Sequence, residues 1–150
     1  MTGKTTSLTD ALRRALADTY ALYGKTHGYH WNVVGPQFPQ LHELFSQQYT
    51  EMWTALDELA ERIRALGEYA PQGFGAVANL SGINGGDPSF DAHAMVEDLL
   101  RGQELTIATL REALAAAEVA NDPVTEGLLT NRLAAHEKQA WMLRATWGRP

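Results

Sequence analysis

Proline cannot sit inside a helix, because its ring clashes with the preceding turn and it has no amide hydrogen to donate. In this chain of 150 residues it occurs only at Pro36, Pro39, Pro71, Pro88, Pro123 and Pro150. Four long stretches are left free of it, roughly 1–35, 40–70, 89–122 and 124–149. Each carries apolar residues three or four apart, the period of one helix face. The first shows Leu12, Leu16, Tyr20, Tyr23, His27, His30 and Val34, behind Ser7 as candidate N-cap. The second shows Leu41, Phe45, Met52, Leu56, Leu59, Ile63 and Leu66. The third follows Ser89 as cap and runs through Val96, Leu99, Gln103, Ile107, Leu110, Leu114 and Ala117. The fourth opens on Asp122-Pro123, a capping residue followed by proline at the first helical position. No alternating β-branched run accompanies them, so strands are not expected.

The connections decide the topology. Those joining the first two stretches and the last two are short. Between the second and third lies Gly67–Pro88, which holds six of the thirteen glycines, with a short helical turn expected around Val77–Leu80. Two antiparallel hairpins joined by a long crossover make an all-α, ferritin-like four-helix bundle. Helices of about 25–30 residues, about 37–45 Å long, fill the chain as a single domain over 1–150, with 1–7 as a short flexible tail.

Composition narrows the chemistry. Cysteine is absent, which excludes disulfides, zinc–thiolate sites, iron–sulfur clusters and a cysteine nucleophile together. Any metal must be held by His, Asp or Glu. Twelve basic against eighteen acidic residues give a net charge of −6, with lysine only at Lys4, Lys25 and Lys138. A folded surface that binds nucleic acid is usually basic. No apolar run is long enough for a membrane span and the polar N-terminus has no secretory h-region, so a cytoplasmic or nucleoid-associated location is expected. Nucleotide-loop, serine-hydrolase and His-Glu-x-x-His signatures are missing, as is the Glu-x-x-His of common di-iron bundles.

Four residues remain as candidates: His30, His42, Asp57 and Glu61. His30 and His42 stand six residues on either side of Pro36, so a helical hairpin can set them side by side. Asp57 and Glu61 are four apart on one helix and project from one face. Imidazole with carboxylate suits iron, manganese or zinc. However, His42 and Asp57 are separated by fifteen residues of helix, about 22 Å of rise, and cannot hold one ion within one chain. Either there are two half-sites, or a two-fold partner brings its Asp57 and Glu61 to this chain's histidines. A second, partly aromatic stripe on the same helix (His42, Tyr49, Trp53, Asp57, Ala60) favours a partner. Against this, acidic pairs one turn apart most often simply face solvent, and a histidine on an apolar stripe is most often a core residue. His136 fits that description; His93 is expected at the surface, His27 beside His30, and the four tryptophans as core or interface anchors.

The runs Lys25-Thr26-His27-Gly28-Tyr29-His30-Trp31-Asn32-Val33-Val34-Gly35 and Phe38-Pro39-Gln40-Leu41-His42-Glu43-Leu44-Phe45 resemble the DNA-protection-during-starvation (Dps) proteins, or mini-ferritins. So do Asp57-Glu58-Leu59-Ala60-Glu61-Arg62-Ile63 and His136-Glu137-Lys138-Gln139-Ala140-Trp141-Met142-Leu143-Arg144. The likeness runs from Leu12 to Trp147. It implies a hollow homododecamer with an iron site at each dimer interface, His30 and His42 from one subunit and Asp57 and Glu61 from the other. There Fe2+ would be oxidised by hydrogen peroxide or oxygen, the protein acting as a ferroxidase that stores ferric mineral. Trp31, beside a ligand, would quench radicals. Glu118, Asp122 and Glu126 fall where the family builds its three-fold pore, although acids near a helix N-terminus also complement its dipole. Two departures stand out. Ser46 replaces the acid common four residues after the second histidine, which would weaken a second iron position. The lysine-rich tail of DNA-condensing members is absent, so the alternative reading, a DNA-binding shell protein with weak ferroxidase activity, lacks its cations.

Overall fold

The computed structural model describes residues 3–150. Among them are five helices and no strand: α1 (Gly3–Asn32), α2 (Phe38–Ala65), α3 (Phe74–Leu80), α4 (Ala92–Val119) and α5 (Pro123–Thr146). The four long helices and the crossover are those the proline spacing predicts, with α3 enlarging the turn expected at Val77–Leu80. α1 packs along α2 and α4, α4 pairs with α5, and α2 and α5 touch little. Two apolar clusters fill the interior. One joins Leu12, Leu16, Leu59, Ile63, Leu110 and Leu129; the other joins Leu22, Phe45, Met52, Met95, Leu99 and Leu143. Burial of these stripes stabilises the helices, which would be marginal alone.

Three boundary expectations are corrected. α1 already runs from Gly3, so Ser7 lies inside the helix rather than capping it. Residues 3–7 of the expected tail are therefore helical, and residues 1–2 lie outside the described residues. α4 is capped by Asp91, whose carboxylate accepts from the Ala94 amide, while Ser89 donates to Asp87 inside the preceding turn. Serine and aspartate cap about equally well, and Asp91 takes the role because its extended backbone stands at the helix entry while Ser89 is held in the turn by Asp87. Val34 lies beyond the end of α1 and is exposed. Asp122 caps α5 as expected.

The crossover is tied down at two points. Buried Asp18 of α1 accepts hydrogen bonds from Ser81 Oγ, the Gly82 amide and, from α4, Thr109 Oγ1. Buried Tyr29 donates to Asp98 at 2.6 Å and accepts from the Asp87 amide, while Lys25 pairs with Asp98 at 3.1 Å. Gly86 passes so close to Tyr29 that a Cβ there would lie 2.5 Å from its hydroxyl.

Candidate metal centre

The turn between α1 and α2 is made at Gly35, whose φ of 119° is open to glycine at no steric cost. Pro39 in the first turn of α2 then restarts the helix. This tight reversal stacks the rings of His30 and His42, with centroids 3.7 Å apart and planes 15° from parallel. Each Nδ1 lies 2.7 Å from the backbone carbonyl of the other histidine. A carbonyl can only accept, so both Nδ1 atoms carry the hydrogen. Both Nε2 atoms therefore keep a lone pair, and neither has a hydrogen-bond partner among the described residues. Backbone carbonyls fix ring orientation and tautomer in the manner of an outer-shell partner at a metal site.

Asp57 and Glu61 lie further along α2, exposed and without an ion-pair partner among the described residues. Asp57 borders a groove of about 370 Å³ between α1, α2 and α3, lined also by Tyr20, Trp53, Ala60 and Val77. The structure thus brings His30 and His42 together and leaves Asp57 and Glu61 apart from them. Among the described residues no three His, Asp or Glu side chains converge on one point. One chain thus sets two imidazoles near the start of α2 and two carboxylates toward its end.

Around the histidine pair lies an aromatic cluster. His27 stacks on Tyr49 at 3.9 Å and contacts Trp31 at 4.3 Å, and its Nδ1 is 3.0 Å from the Tyr23 hydroxyl. Burial, then the neighbouring His30, pushes His27 below the usual imidazole value. Burial, then Tyr20 and Tyr49, pushes the Tyr23 phenol up. Trp31 and Trp53 are 65% and 55% exposed, and Trp141 is also exposed, so none of the three is a core anchor. His93 is exposed and lies against Trp147.

Ser46 opens onto a second groove, of about 530 Å³, shared with Thr50, Glu51, Glu58 and Arg132. Of the pore candidates, Glu118 is exposed and Glu126 half-buried, whereas Asp122 is already engaged. Its carboxylate accepts from Thr125 and from Arg62 of α2. Partial burial works against ionisation there, but the Thr125 and Arg62 hydrogen bonds hold the carboxyl below its usual range.

The sequence reading missed a buried polar ring across α2, α4 and α5. Arg132 binds Glu51 through both terminal nitrogens and donates to His136 Nε2 at 2.9 Å. His136 Nδ1 donates to Gln103, Gln103 to Gln139, and Gln139 back to Glu51. Arg132, Gln103, His136 and Gln139 are all buried.

The ferritin-like domain family matches residues 9–149. A DNA protection during starvation protein 2 of Bacillus anthracis is 37% identical over 136 residues, spanning 91% of this chain and 93% of that protein. The chain belongs to the Dps family of ferritin-like proteins. A Dps crystal structure from Bacillus brevis superposes with a TM-score of 0.94 at 32% identity, over 98% of this chain and 99% of that one. A Vibrio cholerae Dps superposes at 0.91 and 31% identity, covering 96% and 91%; it is described as a member of a broad superfamily of ferritin-like diiron-carboxylate proteins. This membership carries the themes of iron storage and protection from oxidative stress. No helix among the described residues is long and apolar enough to cross a membrane.

Proposed function

We propose that this Dps-family chain is a ferroxidase that oxidises Fe2+ with hydrogen peroxide, or oxygen, at sites between subunits and stores the ferric product in a hollow dodecamer. The observation that carries this reading is the stacked His30–His42 pair, with both Nδ1 hydrogens tied to carbonyls and both Nε2 lone pairs without a partner among the described residues. Two imidazoles alone would hold a ferrous ion weakly. Asp57 and Glu61 of a two-fold partner supply the anionic oxygens that favour the ferric product, and an isologous dimer generates two equivalent sites. Exposed Trp31 and Trp53 on the same face are suited to burial in that contact. Trp31 is placed to intercept radicals formed beside His30. Glu118 and Glu126 are suited to guiding cations inward, and Asp122 serves as cap and ion-pair partner.

Anaerobic ferrous titration of the apo-protein, followed by peroxide and then oxygen, tests the reading. Saturable binding and faster oxidation by peroxide than in buffer are expected; absence of both overturns it. DNA binding is the weaker reading despite the relatives' names. Net charge is −6, and lysine occurs only at Lys4, Lys25 and Lys138. A gel shift that weakens with salt would revive it.

A further inference from the structure

We propose that Asn84 in the crossover is a self-modification site: the Gly85 amide nitrogen attacks its side chain, and the isoaspartate that results releases one of the two ties holding the crossover to α1. The other asparagines are poorly placed for this reaction. Asn32, Asn79, Asn121 and Asn131 are followed by Val33, Leu80, Asp122 and Arg132, whose side chains crowd the attacking nitrogen. The Val33 and Asp122 amides are also engaged in backbone hydrogen bonds, and Leu80 and Arg132 lie inside helices.

Asn84 and Gly85 are both exposed and lie in irregular backbone. Asn84 Oδ1 accepts from the Gly86 amide at 3.0 Å, which folds the side chain back over its own main chain as an Asx turn. Cγ is thereby held on the side of the intervening Gly85 nitrogen. The same hydrogen bond polarises the carboxamide and is already aimed at the oxygen that gains negative charge when a nucleophile adds. The Gly85 amide itself donates to nothing among the described residues, and no atom stands within 4 Å of where a Cβ there would lie.

The step needs only water. The Gly85 nitrogen gives its proton to solvent hydroxide and bonds to Asn84 Cγ. The Cγ–Nδ2 bond breaks, and the nitrogen leaves as ammonia with a proton taken from water. Water then opens the cyclic imide at one of its two carbonyls. Breaking the bond to Cγ gives aspartate; breaking the bond to the main-chain carbonyl carbon gives isoaspartate, with the chain now running through Cγ. Nothing is oxidised or reduced.

The place of the reaction gives it a consequence. Residues 83–86 are strung between the two ties of the crossover. At one end the Asp18 carboxylate holds Ser81, the Gly82 amide and Thr109. At the other, the Asp87 amide donates to the Tyr29 hydroxyl at 3.2 Å. Gly86, with φ of 79°, runs against that ring and has no room to move inward. Isoaspartate adds one main-chain atom to this short span, together with a negative charge. The Asp18 end is held by three directional bonds and the Asp87 end by one, so the Asp87–Tyr29 bond gives way while Tyr29 keeps Asp98.

The test ages the assembled protein in mildly alkaline buffer at physiological temperature, beside the same chain unfolded in urea. Peptide mapping with electron-transfer fragmentation, and methylation by an isoaspartyl methyltransferase, locate the product. Isoaspartate should form at position 84 several-fold ahead of any other asparagine, and at least as fast in the folded chain as in urea. Slower formation in the folded chain, or earlier modification elsewhere, overturns the site. Gly85→Ala should slow the reaction several-fold; an unchanged rate also overturns it. Hydrogen exchange read by mass spectrometry tests the consequence. The Asp87 amide should exchange several-fold faster in the isoaspartate-containing fraction than in fresh protein. Asn84→Asp adds the charge without the extra atom and should leave that exchange slow. Unchanged exchange after modification, or equal acceleration in Asn84→Asp, overturns the release of the tie.

Discussion

His136 in the bundle interior and the His30–His42 pair at its flank share one tautomer and have opposite prospects. In all three rings Nδ1 holds the hydrogen and donates it to an oxygen. The difference is what meets Nε2. At His136 a guanidinium, which can only donate, takes the lone pair. At His30 and His42 the lone pair meets nothing among the described residues. Fitness to bind a cation therefore depends on an acceptor that the fold orients without using. Burial alone does not confer it, since His136 is fully buried and its burial, then Arg132, pushes its pKa down to about 3.

The contrast breaks most sharply at the carboxylates. Asp57→Asn with Glu61→Gln should lower peroxide-driven iron oxidation by more than about 100-fold, beyond the 10–100-fold typical of losing an outer-shell partner. Helicity should be unchanged by circular dichroism, and a wild-type rate in stopped flow would place the chemistry elsewhere.

Next comes a swap of consequences. His136→Leu leaves Arg132 and Gln103 short of partners in the interior and should cost about 3 kcal/mol in urea unfolding. His30→Ala should cost about 1 kcal/mol and yet abolish ferrous binding. Equal stability costs would show that the two environments do not differ as described.

Acid sharpens the same point. His136 is about 3 in the folded chain against an unfolded value of about 6.5. Between those values the unfolded chain takes up a proton that the folded chain refuses, so stability is fully present above pH of about 6.5. It then falls by about 1.4 kcal/mol per pH unit as pH drops toward 3. His136→Gln should flatten urea midpoints across that window by one proton's worth.

Much of this was legible in the sequence. Six prolines marked the helices, and separations of 12, 15 and 4 among His30, His42, Asp57 and Glu61 showed that one chain cannot bring all four to one ion. What stayed hidden was long-range. Periodicity could mark His136 as an inward residue, but not that Arg132 reaches Glu51, 81 residues away. Nor could it show that Arg62, 60 residues from Asp122, engages a carboxylate expected at a pore. The Ser89 cap failed for a local reason: serine and aspartate stand two apart, and the choice turns on backbone angles that composition does not encode.

Smaller effects test the edges of the comparison. Ser46→Asp places a carboxylate one turn from His42 and should tighten a second ferrous ion in calorimetry under nitrogen. Two equally tight ions in the wild type would show that Ser46 is no deficit. Glu118→Gln with Glu126→Gln should slow mineral growth modestly while leaving single-turnover oxidation intact. Asp122→Ala should instead cost about 1 kcal/mol in thermal unfolding, as a lost helix cap does.

The polar ring also bears on how the helices are aligned along their length. Much of the surrounding seam is alanine and leucine, which can pack acceptably after α5 slides one turn, about 5.4 Å. Directional bonds cannot follow such a slide. Arg132 would be carried away from Glu51 and His136 would lose Gln103, leaving a guanidinium uncompensated in the interior at about 3–5 kcal/mol. The ring is thus an alignment key, cut on three helices and fitting at one height only. Because α5 begins at the Asp122 corner and carries Trp141 on its outer side, that key sets the level at which the surface presents both features.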